Sequence, residues 1–111
     1  MNSVELEKMM ESILGAEKCA YYSFPEKAAP ELPYLLYWFP SSNDEYADDK
    51  NYTKIRSINI ELYSKHKDFK VENIVEEKLR AAEIPYVRSE QNLASEGMYE
   101  VLYESEVVID G

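Results

Sequence analysis

Four carboxylates crowd one short stretch of the chain: Asp44, Glu45, Asp48 and Asp49. Clustered carboxylates are the raw material of a divalent-cation site. A calcium loop needs oxygen ligands at alternating places, a glycine at the sixth and a glutamate at the twelfth. Counting from Asp44, the third place is Tyr46, the sixth Asp49 and the twelfth Ile55. The pattern fails, and the stretch reads as a solvated acidic loop. His66 is the single histidine, set between Lys65 and Lys67. Acid–base work would need an orienting partner for it, and none is patterned nearby. Cys19 is the single cysteine, so no disulfide can form within the chain. With no base close in sequence, it reads as a structural thiol rather than a nucleophile. Gly15, Gly97 and Gly111 lie too far apart to cradle a phosphate. The residues therefore predict no enzyme, no cofactor and no metal.

The elements that must position these residues follow from periodicity. Val4, Leu6, Met9, Met10, Ile13 and Leu14 form a helical stripe, with Ser3 as the cap and Gly15 as the stop. Cys19 to Phe24 reads as a strand. Pro33-Tyr-Leu-Leu-Tyr-Trp-Phe-Pro40 is an apolar run bracketed by prolines and reads as an inner strand, with Leu36 as a core position. These two strands are expected to pair as an antiparallel hairpin. Tyr52 to Ser64 is a third strand with Ile58, Ile60 and Leu62 facing inward. Ile55 is out of phase, which predicts a bulge near Arg56-Ser57.

Asp68 caps a second helix from Phe69 to Glu83, with Val71, Ile74, Val75, Lys78, Leu79 and Ala82 on its inner side. Glu72, Glu76, Glu83, Lys78 and Arg80 read as exposed helix charges. Tyr86 to Glu90 is a fourth strand, and Gln91 to Gly97 a turn. Met98 to Ile109 is the last strand. Tyr99, Val101, Tyr103, Val107 and Ile109 share one face of it; Met98, Glu100, Leu102, Glu104, Glu106 and Val108 share the other. The predicted fold is a single α+β domain over residues 1–111. It has a mainly antiparallel sheet of four to five strands and two helices, in the order α-β-β-β-α-β-β.

Composition narrows the function classes. The 111 residues carry a net charge of −10. From Ser89 to Gly111 there is no lysine or arginine. Direct phosphate binding needs cations, so nucleic-acid binding is disfavoured over most of the surface. The one basic cluster is Lys65, Lys67 and Lys70, at a helix start. Apolar residues near the N-terminus are periodic rather than continuous, so no membrane span or leader is expected, and the chain reads as cytoplasmic. Ten tyrosines suit half-buried rims and partner surfaces.

The series PYLLYWFPSSNDEYADDKNY, INIELYSKHKDF, VEEKLRAAEIPY and SEGMYEVLYESEVVI resembles the tail terminator or tail completion proteins of long-tailed bacteriophages and prophages. The resemblance runs from about Cys19 to Ile109. It implies a structural α+β protein that forms a ring, usually a hexamer, at the junction of tail and head in the virion. The ring caps the tail-tube protein and meets the head–tail connector protein, and DNA passes through without specific binding. On this expectation Tyr46, Asp48, Asp49, Lys50, Tyr52, Tyr63, Lys65 and Lys67 are candidates for subunit or partner contact. Glu100, Glu104 and Glu106 are candidates for an acidic lumen that repels phosphate. A second expectation, of another class, is a monomeric acidic inhibitor that mimics nucleic acid towards a basic protein.

Overall fold

Two long segments rich in β-branched and aromatic residues form the middle of the sheet. The computed structural model describes residues 1–26, 28–40, 45–46 and 53–110, with the backbone alone at 45, 46, 53, 54 and 110. Strand β4, Thr53–Ser64, pairs antiparallel with β6, Met98–Asp110, over twelve residues in one unbroken register. Strand β2, Tyr34–Trp38, joins the far side of β4, and β5, Tyr86–Leu93, joins β6. Strand β1, Cys19–Tyr21, completes the order β1-β2-β4-β6-β5, and a two-residue β3, Glu45–Tyr46, pairs with β4. Helix α1, Ser3–Leu14, and helix α2, Phe69–Ala81, cover one face of this sheet. The result is the expected α+β domain with a mostly antiparallel mixed sheet.

The core lies between that face and the helices. Ile58, Ile60 and Leu62 of β4 are fully buried, as alternation predicted, beside Val101, Tyr103 and Val107 of β6. Leu6, Met10 and Ile13 from α1 and Val75 and Leu79 from α2 close over them.

Several local expectations change. Asn2, not Ser3, caps α1: its Oδ1 accepts from Glu5 N at 2.8 Å, and Glu5 Oε1 accepts from Asn2 N at 3.0 Å. This reciprocal pair meets two orphan donors at once, which a lone serine cannot do. Val4 lies outside the buried stripe and is exposed. Gly15 stops the helix with φ +106, and a Cβ there would come within 2.8 Å of Glu17 Oε1. Asp68 caps α2 as expected, its Oδ1 accepting from Val71 N at 3.2 Å. The buried positions of α2 are Glu72, Val75 and Leu79, while Ile74 and Lys78 are exposed. The stripe is thus turned by about one residue, and Glu72 is no surface charge.

Strands β1 and β2 run parallel, not as a hairpin, with Ala20 opposite Leu36. The chain leaves β1 at Tyr22, whose φ is +69, and residues 22–33 return it to the same end of the sheet. A connection of that length permits a crossover without a helix. The expected bulge at Arg56-Ser57 does not form. Ile55 instead pairs with Val108 on the helix-free face, and Arg56 takes the helix-side slot with its guanidinium 4.0 Å from the Phe39 ring centre. Strand β5 extends to Leu93, so the expected turn shrinks to a 3-10 turn at Ala94–Glu96 and Gly97. No helix among the described residues is long and apolar enough to cross a membrane.

The core side of β2 is Leu35 and Tyr37, while Leu36 is half-buried on the opposite face. Leu35→Ala should therefore cost about 2–5 kcal/mol in a denaturant titration. Leu36→Ala should cost markedly less. Equal losses would contradict the assigned faces.

Candidate functional site

The sheet face without helices carries a contiguous set of polar and aromatic side chains. Its rows follow from the register. Tyr34, Tyr63, Glu100 and Gln91 lie side by side across four strands. The next row is Ala20, Leu36, Glu61, Leu102 and Ser89. Then come Trp38, Asn59, Glu104 and Val87, then Ser57 and Glu106. Among the described residues, no lysine or arginine lies in these rows.

Glu61 organises one end of the face. Its carboxylate accepts from Trp38 Nε1 at 2.7 Å, and its other oxygen lies 2.7 Å from the Tyr63 hydroxyl. That hydroxyl is also 2.7 Å from Glu100. Tyr63 has one proton to give, so it donates to one carboxylate at a time. Burial, then hydrogen bonds to Glu100 and Glu61, push its phenol well above the ordinary range. The rings continue the order: Tyr63 packs on Tyr34, Tyr34 on Phe24, and Trp38 on Tyr22. This end presents aromatic surface whose polar groups are held in place. The other end, Glu104 and Glu106 beside Val87, is exposed. Chemically, the face offers acceptors and apolar area: it can hold cations or basic side chains and will repel phosphate.

A second constellation sits under α2. Glu72, with only 3% of its side chain exposed, accepts from Lys67 at 2.8 Å and Arg88 at 3.0 Å. Lys67 also meets Glu90 at 2.9 Å, and Arg88 meets Glu76 at 3.2 Å. Tyr103 and Tyr86 donate to Glu76, and Tyr99 to Glu90. Burial works against the charges on Lys67 and Arg88, but their carboxylate neighbours outweigh it and both pKa values rise. This network pins α2 to β5 and β6.

The residues singled out in the sequence divide accordingly. Glu100, Glu104 and Glu106 lie together on the helix-free face, with Tyr63 bonded to Glu100. Lys67 is bound up in the network under α2, whereas Lys65 and His66 are exposed in the turn before it. Asp48, Asp49, Lys50 and Tyr52 lie outside the described residues, as does the side chain of Tyr46. Among the described residues, no three His, Cys, Asp or Glu side chains converge for a metal ion. Sequence reasoning missed Glu61, Glu72 and Arg88. The signal for Glu72 was its spacing to Val75 and Leu79, which is helical and one-sided.

Replacing both cations, Lys67→Met with Arg88→Met, strands a buried carboxylate and should cost about 3–5 kcal/mol. Glu72→Met leaves half-exposed cations that keep Glu90 and Glu76, and should cost about 1.5 kcal/mol or less by denaturant titration. The reverse order would refute the account. Burial first, then neighbouring negative groups, raises the phenols of Tyr37 (to about 12), Tyr63 and Tyr103 above their ordinary 10. The fold favours their protonated forms, so this stability is complete below pH 10 and falls as pH rises through the raised values. Phenolate absorbance should show a late-titrating set that ionises with unfolding; a single titration step near 10 would contradict it. Searched against models of known protein families the chain matches none, and no curated protein is significantly similar to it.

Proposed function

We propose that the chain is a structural subunit of the ring that terminates the tail tube of a long-tailed bacteriophage and joins it to the head. The observation that carries this reading is the acidic face formed by Glu61, Glu100, Glu104 and Glu106, on which no lysine or arginine lies among the described residues. Lining a lumen, such a face gives phosphate no counter-charge, so DNA slides instead of sticking. The resemblance of the chain to tail terminator and tail completion proteins supports the same role. Closed rings need two unlike patches that meet head to tail. The two sheet edges are unlike: β1 is three residues long, and β5 is eight residues long with Val87 exposed. The segment from Asp48 to Tyr52, with Tyr46, remains the candidate for contact with a neighbouring subunit, the tail tube or the connector.

The same face supports a second reading, a monomeric acidic inhibitor of a basic nucleic-acid-binding protein. One experiment separates them. Deleting the gene from its parent phage should leave overlong or headless tails. Glu104→Lys with Glu106→Lys should keep the fold and lower the yield of infectious particles. Normal particles after deletion would sink the ring reading. Capture of a nucleic-acid enzyme by the purified chain would then favour the inhibitor.

A further inference from the structure

A groove of about 450 Å³ opens between α1 and the strands β1 and β2. Glu7 and Glu11, one helical turn apart, form one wall. Tyr21, Tyr37, Phe39 and Cys19 form the other. Its volume is that of a small ligand pocket. Tyr21 and Tyr37 meet edge to face at 5.3 Å, and Tyr21 meets Phe39 at 5.9 Å. The Tyr21 hydroxyl accepts from Phe39 N at 3.2 Å, which fixes the ring against the strand end.

Three polar groups line this groove without a protein partner among the described residues. Among the described residues, neither Glu7 nor Glu11 has an ion pair. Tyr37 is 8% exposed and lines the groove, yet its hydroxyl has no hydrogen-bond partner among the described residues. The ring is packed while the hydroxyl stays open to the groove, where a ligand's donor can reach it. The carboxylates of Glu7 and Glu11 make the local field negative, and it bears on Cys19 and Tyr37. Burial, then Glu11 and Glu7, pushes the Cys19 thiol up to about 11. Burial leads again for Tyr37, with Cys19, Glu7 and Glu11 adding to it.

We propose that this groove binds the arginine side chain of a partner protein, with its guanidinium paired to Glu7 and Glu11 and laid against the aromatic wall. An anion is excluded by the two carboxylates. A bare metal ion gains nothing from rings. A guanidinium is planar, weakly hydrated and rich in donors, so it uses the carboxylates, the phenol oxygen and the ring faces together. Phe39 already stacks with one guanidinium, that of Arg56. The groove is complete in one chain, so it does not depend on a ring.

The test is an amide-resolved NMR titration of the intact chain with N-acetyl-arginine methylamide. Saturable shifts should appear at Cys19–Tyr21 and Tyr37–Phe39. The uncharged citrulline analogue should leave them in place, and the lysine analogue should bind more weakly. Glu7→Gln with Glu11→Gln should weaken arginine binding about tenfold or more. Tyr37→Phe should weaken it several-fold, with the rest of the spectrum unchanged to show an intact fold. Equal binding of citrulline or lysine, an unaffected double variant, shifts centred on Glu104 and Glu106, or no saturation would each overturn the proposal.

Discussion

The twelve-residue pairing of β4 with β6 is the constraint on which the rest of the structure depends. An unbroken antiparallel register with a side-chain period of two sends every second residue to the same face. Ile58, Ile60 and Leu62 are thereby set beside Val101, Tyr103 and Val107, and all six are buried in the core. Each fully buried aliphatic side chain contributes about 1.5–3 kcal/mol. The same register leaves no freedom on the other side. Asn59, Glu61 and Tyr63 must stand next to Glu104, Leu102 and Glu100. The acidic face is therefore a geometric consequence of the core.

Helix α2 reaches this ladder through a charged contact as well as an apolar one. Val75 and Leu79 supply the apolar part. Glu72 enters the same interface and is tolerated because Lys67 and Arg88 both reach it, with Glu76 and Glu90 balancing the two cations. A buried ion pair adds little net stability over an apolar equivalent, but breaking it is expensive. Its directionality is what an apolar contact lacks: it holds α2 at one angle and height against β5 and β6.

Legibility in the sequence followed the strength of local periodicity. The two faces of β6, the inner residues of β4 and the Asp68 cap were all readable, because each rests on alternation or on a single side chain near its own backbone. The Pro33–Pro40 run is apolar at every position, so it contains no alternation and hides which side is core; Leu35 and Leu36 exchange roles for that reason. The direction of β1 against β2 is set by the backbone turn at Tyr22 and by the route of residues 22–33, which no residue pattern encodes. Glu72 was lost because a carboxylate in a helical stripe looks solvated until the cations from the turn and from β5 are seen beside it. Alternation along β4 sets Glu61 beside Tyr63, but its bond to Trp38 reaches another strand, 23 residues away in the chain, which no local pattern encodes.

The net charge of −10 is distributed unevenly, and the unevenness bears on function. Under α2 the carboxylates are met by cations of the same chain. On the helix-free face they stand without a cation among the described residues, partly held by Tyr63 and Trp38 and partly open to solvent. Solubility alone is served as well by mixed signs as by one sign. A single sign spread across adjacent strands does something else: it sets a field that raises the local concentration of cations and excludes phosphate. The structure maintains that field despite the self-repulsion of neighbouring carboxylates. It does so by setting neutral donors, the Trp38 indole and the Tyr63 hydroxyl, beside Glu61 and Glu100, which orient these side chains without supplying a counter-charge. A surface built this way keeps its charge while losing its side-chain freedom, and that preorganisation is common to a lumen that lets DNA slide and to a surface that captures a basic protein.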